Sequence, residues 1–226
     1  MDEFKKKTLQ TKISKTMNAL EANNMNAFYA ETKEEAKKLA ESMLCDGDTV
    51  THGGSVTLGE CGIIDVLKSG KYKYLDRSAP GLSREEVEQI YRAAFSADVY
   101  FSGTNAITVN GELYNVDGNS NRVAALLYGP KKVIVIAGSN KITDSLDDAV
   151  KRVKCMAAPA NCVRLDKKTY CSTEGQCVSA KSAGQYMCAG CKSEDRICRN
   201  YVVMGPQTPA SKGRINVIIV GEELGY

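Results

Sequence analysis

Short strand-like runs alternate with helical segments along most of the chain, and this alternation limits its fold more than any other feature. The strand-like runs lie at residues 26–30, 48–52, 98–102, 132–137 and 214–220. Helical patterns between them lie at residues 32–44, 83–97 and 144–156. Strands that are separated by a helix pair in parallel, because the chain must cross back over the sheet. We therefore predict an α/β fold with an open, mainly parallel sheet flanked by helices.

The richest local stretch runs from residue 102 to residue 138. Asn110-Gly111 joins two β-prone runs, 106–109 and 112–116, and predicts an antiparallel hairpin. The polar residues 117–122 follow, and Asn119 or Ser120 can cap the helix that begins at Arg122. Such an elbow is able to hold a phosphate or carboxylate, since helix starts present unpaired N–H groups. A plain turn with a helix cap explains the same residues.

A second polar loop, Gly53-Gly54-Ser55, follows the strand at 48–52 and precedes a helix. Loops of this kind often bind small anions, although simple turn chemistry also accounts for them. The candidate ligand-binding residues from both loops and the strand end between them are Gly53, Gly54, Ser55, Thr104, Asn105, Gly118, Asn119, Asn121 and Arg122. The candidate catalytic bases are Glu60, Glu112 and Asp117.

Seven of the nine cysteines fall between residues 155 and 198, where the composition changes after Pro159. We predict one α/β domain over residues 1–226 that contains a cysteine-rich, irregular insert at 155–200. Cys-x2-Cys spacing suits a metal, and all-thiolate ligation fits zinc or an iron–sulfur cluster. The candidate metal ligands are Cys171, Cys177, Cys188, Cys191 and Cys198. Reduced, redox-active thiols without metal are the alternative.

Charge and hydropathy exclude several classes of function. The net charge of +3, from 30 basic and 27 acidic residues, is too balanced to indicate nucleic-acid binding. No apolar run reaches the roughly 18 residues of a membrane span, and the first residues lack the apolar segment of a signal peptide. We therefore expect a cytoplasmic protein. No Gly-x-Gly-x-x-Gly fingerprint for a flavin or nicotinamide is present.

Several short motifs together resemble the lactate-utilization (LUD-domain) family, particularly its small members of the lactate utilization protein C type. The resemblance covers the chain from about Lys12 onward. The stretches that carry it are Gly53-Gly54-Ser55, Ser102-Gly103-Thr104, residues 110–122, Ala157-Ala158-Pro159 with Asn161 and Arg164-Leu165, Arg196-Ile197-Cys198, and residues 220–225. The resemblance implies a fold similar to that of ribose-5-phosphate isomerase and the CoA transferases. Cysteine-bearing relatives show a spacing similar to Cys-x5-Cys-x2-Cys-x6-Cys. In this chain extra residues separate Cys177 from Cys188, so the choice between these two cysteines stays open.

The resemblance also implies a function in the oxidation of L-lactate, or a related 2-hydroxy acid, to pyruvate. The chain would be a subunit or accessory protein beside iron–sulfur subunits, with homo-oligomerisation left open. Its two polar loops would line one cleft, Arg122 would pair with a small carboxylate or phosphate, and the cysteines would hold zinc or a cluster. One alternative is a stand-alone enzyme for a sugar phosphate, a CoA thioester or a folate-like substrate. Another is a cysteine-based metal- or redox-sensing module.

Overall fold

The computed structural model describes residues 2–180, 187 and 191–226. Its helices are α1 (Glu3–Ala22), α2 (Lys33–Ser42), α3 (Val56–Glu60), α4 (Ile63–Leu67), α5 (Arg84–Ala93), α6 (Asn121–Leu127), α7 (Leu146–Arg152), α8 (Ala158–Arg164) and α9 (Tyr170–Glu174). Its strands are β1 (Asn26–Ala30), β2 (Thr49–His52), β3 (Lys73–Tyr74), β4 (Val99–Ser102), β5 (Ala106–Thr108), β6 (Leu113–Asp117), β7 (Lys132–Gly138), β8 (Ile142–Thr143), β9 (Asn200–Met204) and β10 (Ile215–Val220).

The main sheet has six parallel strands in the order β1-β10-β7-β4-β2-β3. Its central strands are buried on both faces, which is why β7 and β10 read as nearly continuous apolar runs. Helices α1 and α6 pack with Tyr100 of β4 on one face. Helices α2, α3 and α4 pack with Phe101 of the same strand on the other. The predicted parallel α/β fold is thus confirmed.

A smaller sheet, in the order β8-β5-β6-β9, lies beside the main one. It contains the hairpin predicted at Asn110-Gly111, with β5 and β6 antiparallel. Gly111 has φ +78°, and a Cβ there would lie 2.6 Å from the carbonyl carbon of Ala19. The hairpin therefore needs glycine both for its backbone angle and for its close approach to α1.

The helix that begins at α7 continues past residue 156, where the sequence predicts its end, and through Pro159. Residues 153–157 form a π-helical segment that joins α7 to α8 without a break. A proline lacks an N–H and crowds the preceding helical turn, and the wider turn accommodates both effects. The predicted helix end at residue 156 is therefore wrong, and the helix continues through Cys162 to Arg164.

None of the helices in the described part of the chain is long and apolar enough to cross a membrane.

Candidate functional site

A cleft opens at the carboxyl ends of β2 and β4, which are neighbours in the main sheet. After β2 the chain crosses to β3 on one side, and after β4 it eventually crosses to β7 on the other. When the connections after two neighbouring parallel strands run in opposite directions, a crevice forms between the strand ends. Open α/β sheets bind their ligands in such a crevice. The loops at 53–55 and 103–105 flank this crevice, and the elbow at 117–122 closes it.

The cleft has a volume of about 470 Å³, which lies within the range of small-molecule sites. The structure brings together in its lining eight of the candidate ligand-binding residues, namely Gly54, Ser55, Thr104, Asn105, Gly118, Asn119, Asn121 and Arg122. Gly53 does not line the cleft but packs beneath it. A Cβ at Gly53 would lie 2.8 Å from Cγ of Arg122 and 2.9 Å from the Tyr100 hydroxyl. Glycine at this position therefore allows Arg122 to enter the wall.

Basic side chains dominate the described lining of the cleft. The basic residues are Arg77, Arg122, Lys141, Arg164, Lys167, Arg196 and Arg199. The acidic residues are Asp117, Glu194 and Asp195. The excess of positive charge in a concave site favours an anionic ligand.

Arg122 ties the loops of the cleft to one another. Its Nη1 donates to the Gly103 carbonyl at 3.3 Å and to Asn115 Oδ1 at 2.6 Å. Its Nη2 donates to Asn105 Oδ1 at 3.2 Å and to the Val116 carbonyl at 2.9 Å.

The Nε of Arg122 lies 3.3 Å from Oδ2 of Asp117, and both side chains are about nine-tenths buried. Burial lowers the pKa of the guanidinium, and the nearby Asp117 charge opposes that shift. All five N–H groups of Arg122 thus face protein oxygens, which favours a positioning role. Its pairing with an anion stays a prediction.

The three candidate bases lie in different surroundings. Asp117 lines the cleft, but its Oδ1 accepts the backbone N–H groups of Asn119 and Ser120. Glu60 accepts the backbone N–H of Gly225 at 2.7 Å, outside the cleft lining. Glu112 accepts the hydroxyl of Thr108 at 2.8 Å, also outside that lining. Of the three, only Asp117 faces the cleft, and a catalytic role for any of them stays a prediction.

Lys141 is a cleft residue that the sequence reading missed. It ends the short 3-10 turn after β7, its side chain is buried, and its Nζ donates to Thr57 Oγ1 at 2.8 Å. Burial is the main cause that lowers the pKa of this lysine, to about 8. Its position just past the carboxyl end of a buried strand was the signal available in the sequence.

His52 ends β2 but faces away from the cleft. Its Nδ1 donates to the Gly53 carbonyl at 2.8 Å, and its ring stacks on Tyr74. Its Nε2 is buried without a hydrogen-bond partner among the described residues. Burial lowers the pKa of the imidazole, so His52 is neutral in the folded protein at pH 7.

A second, smaller cavity of about 30 Å³ is lined by cysteines. It brings together Cys171, Cys177, Cys191 and Cys198 from the predicted metal set, while Cys188 lies outside the described residues. Cys162 of α8 lines the same cavity and was not among the predicted ligands, because only packing of the helices places it there. Its Sγ lies 3.6 Å from Sγ of Cys171. We name this region the cysteine cavity.

The thiol groups of the cysteine cavity are the donor type that a thiophilic metal prefers, but their arrangement matches a metal site only in part. Two sulfurs on one tetrahedral zinc are about 3.8 Å apart, given Zn–S bonds of about 2.3 Å, and the Cys162–Cys171 pair is near this distance. Within the described ranges, however, no group of three or more cysteine, histidine or acidic side chains is arranged to hold an ion. Burial raises the pKa of the Cys162 thiol to about 11.

Comparison with known proteins identifies the family. A family model for the LUD domain matches residues 13–220. A solved structure of a DUF162 family protein from Deinococcus radiodurans covers 96% of this chain and 98% of its own, with a TM-score of 0.50 and 14% sequence identity. No curated protein matches the chain significantly.

Partial likenesses to other solved structures have lower scores. The eIF2B delta of Chaetomium thermophilum shares 23% identity over 50% of this chain and 48% of its own, with a TM-score of 0.34. Ribose 5-phosphate isomerase A of Methanocaldococcus jannaschii shares 15% identity over 51% of this chain and 56% of its own, also with a TM-score of 0.34. The family model, which spans nearly the whole chain, shows that this protein belongs to the LUD-domain, or lactate-utilization, family.

Proposed function

We propose that this protein binds a small anionic 2-hydroxy or 2-oxo acid in its cleft and serves the oxidation of L-lactate, or a related acid, to pyruvate. The observation that carries the proposal is the cleft itself, which lies at the switch point of the sheet and has a mainly basic lining. Membership of the lactate-utilization family supplies the substrate class.

The polar groups of the cleft suit such a ligand. A 2-hydroxy acid presents a carboxylate and one hydroxyl, which together need several donors and one acceptor. Ser55 and the loops at 103–105 and 117–119 line the cleft beside the basic side chains. A small acid would therefore find both charge and directional hydrogen bonds.

Oxidation of lactate to pyruvate removes two electrons and two protons, which another group must accept. This chain has no flavin or nicotinamide fingerprint. We therefore assign binding and orientation of the acid to this chain, and acceptance of the electrons to iron–sulfur partner subunits. This division of labour makes the chain an accessory protein or subunit rather than a complete dehydrogenase.

Titration calorimetry on the full chain tests the proposal, with L-lactate, pyruvate and inorganic phosphate as separate probes. We expect saturable binding of lactate or pyruvate that weakens with added salt, because a charged site is screened. Phosphate binding without binding of either acid would favour the alternative of a sugar-phosphate enzyme. The absence of binding of all three probes would overturn an anion site.

A second candidate function concerns the cysteine cavity, which is lined by five cysteines of the described chain. We propose that Cys171, Cys177, Cys191 and Cys198, joined by Cys162, hold zinc or an iron–sulfur cluster. A bound zinc would supply structural support, and a cluster would supply electron transfer. The small cavity volume suits a single ion better than a cluster.

Metal analysis and the visible spectrum of protein purified without air distinguish these possibilities. One zinc per chain without colour would indicate a structural site. Iron and sulfide with a broad absorbance near about 400 nm would indicate a cluster. Protein free of metal, with reactive thiols, would contradict ligation and favour a redox-sensing role for the cysteines.

A further inference from the structure

We infer that Lys141 is the cation that contacts the carboxylate of the acid bound in the cleft. The inference rests on the proposed function and assigns a residue and a ligand group within the same site. It replaces Arg122 as the main anion contact, because the donors of Arg122 are already used by the protein.

The position of Lys141 fits this role. The residue follows β7 directly and lines the cleft together with Ser55 and Thr57 of the neighbouring loop and helix. The whole residue is only 3% exposed, so its ammonium group has lost most of its contact with water. The ammonium group of a lysine buried in the wall of an open cleft can contact a bound ligand while it stays shielded from bulk solvent.

The hydrogen bonds of Lys141 leave donors for a ligand. The ammonium group has three N–H donors, and Thr57 Oγ1 takes one of them at 2.8 Å. Thr57 in turn donates to the Leu224 carbonyl at 3.4 Å, which fixes the threonine between the lysine and the C-terminal segment. Within the described part of the chain, Lys141 forms no ion pair with a carboxylate.

The charges around Lys141 also favour an incoming anion. Arg152 of α7 and Arg122 of α6 lower its pKa, in addition to the larger effect of burial. Glu60 of α3 and the Cys61 thiol that follows it act in the opposite direction. Unpaired buried cations are costly to keep in a fold, and a bound carboxylate would supply the missing negative charge.

The chemistry points to a carboxylate with an adjacent oxygen. An ammonium group is a compact point charge that can contact one carboxylate oxygen and also a hydroxyl or keto oxygen beside it. The Ser55 hydroxyl belongs to the same lining and is positioned against Gly103, where a Cβ would lie only 2.7 Å from its Oγ. Small 2-hydroxy and 2-oxo acids carry this pair of oxygen groups.

The test compares the wild-type chain with Lys141→Met and Lys141→Arg by calorimetry with pyruvate, and with phosphate as a second probe. We expect Lys141→Met to weaken pyruvate binding by at least about tenfold. Lys141→Arg should retain binding, because it keeps the charge. Lys151→Met, which removes an exposed lysine of α7, is the matched control and should bind like the wild type.

The pH dependence of binding separates a direct contact from a structural role. The wild-type ammonium loses its proton as the pH rises through about 8. Pyruvate binding should therefore weaken by roughly tenfold for each pH unit above that value. In Lys141→Arg the affinity should stay constant over the same range, since a guanidinium does not titrate there.

Thermal unfolding shows whether the variants fold. Removal of an unpaired buried charge should leave Lys141→Met as stable as the wild type or more stable, so lost binding would not reflect an unfolded chain. Wild-type affinity and wild-type pH dependence in Lys141→Met would overturn the role of Lys141 and leave the anion cleft standing. Binding of phosphate but not pyruvate would overturn the carboxylate assignment. A wild type that binds neither probe would overturn both proposals.

Discussion

The anion cleft and the cysteine cavity share the wall made by Arg196 and Ile197, yet they are built in different ways. The loops at 53–55 and 103–105 extend from neighbouring strands of the parallel sheet, and Arg122 ties the 103–105 loop to the end of β6 with hydrogen bonds. The cysteine cavity is lined mainly by side chains from helices and irregular segments, together with Tyr114 of β6 and Tyr201 of β9. Several of its polar groups bond to near neighbours in the chain.

The difference indicates how each region is stabilised. A cleft whose loops are held by the hydrogen bonds of Arg122 keeps its shape without a ligand, so its ligand needs to bring only charge. The irregular residues around the cysteine cavity carry few long apolar side chains, and four of the five cavity cysteines are only partly buried. A bound metal would supply cross-links that the hydrophobic packing of this segment does not. We therefore expect the cleft to depend on hydrogen bonds and the cysteine cavity on metal.

The largest effect is expected in the cysteine cavity. Replacement Cys171→Ala should remove most of the bound metal, because the loss of one thiolate ligand weakens a metal site strongly. Cys45→Ala is the matched control, because Cys45 is exposed and lies outside the cavity. Metal analysis of the two variants, purified without air, checks this expectation. Equal metal content in both variants would show that the metal is not bound in the cysteine cavity.

In the cleft, Arg122→Met should lower the free energy of unfolding by about 3–5 kcal/mol. The substitution leaves Asp117 buried without its cation, and several carbonyl and amide oxygens lose their donor. Arg84→Met, on an exposed residue of α5, is the control and should change stability by less than about 0.5 kcal/mol. Urea unfolding gives both values. A small effect for Arg122→Met would show that the loops do not depend on this residue.

A pair of glycine substitutions sharpens the same point about the cleft wall. Gly53→Ala should destabilise the fold by about 1–3 kcal/mol, because its Cβ would overlap the Arg122 side chain. Gly59→Ala should instead stabilise it by about 0.5–1 kcal/mol, since this helical glycine has open space around it. Thermal unfolding measures both. The same sign for the two variants would contradict the close packing at Gly53.

The smallest effect is the dependence of stability on pH through His52, the single histidine of the chain, which ends β2 outside the cleft lining. Burial lowers the pKa of His52 in the folded state, so below about pH 6.5 the unfolded chain takes up a proton that the folded chain resists. The free energy of unfolding should therefore fall between pH 7 and 5, and His52→Gln should flatten that dependence. Identical pH profiles for the variant and the wild type would rule out His52 as the cause.

Local sequence signals predicted the fold and most of the cleft. The strand runs and capped helices fix which loops meet, so Ser55 and Thr104 could be assigned to one site in advance. The position of Lys141 after a buried strand could also be read from the sequence, but its burial could not, because that depends on Thr57 and the C-terminal segment, which are distant in sequence. Cys162 lies in a helix whose packing, rather than its spacing, brings it to Cys171.

The role of Arg122 shows a further limit of sequence reasoning. The charge of Arg122 and its position in the elbow suggested an anion contact. No local sequence pattern shows which acceptors the N–H groups of a guanidinium will bond. In the folded chain, Asn105 of a loop and Asn115 of β6 each accept one of these N–H donors. Competition of this kind between protein and ligand for one donor is decided only by tertiary structure.

A crystal structure of the full chain with bound pyruvate tests the central claim most directly. We predict electron density for the acid at the ends of β2 and β4, with a carboxylate oxygen within about 3 Å of Nζ of Lys141. Density in the cysteine cavity or on the outer surface, or a carboxylate that contacts Arg122 while Lys141 stays bonded to Thr57 alone, would contradict the account.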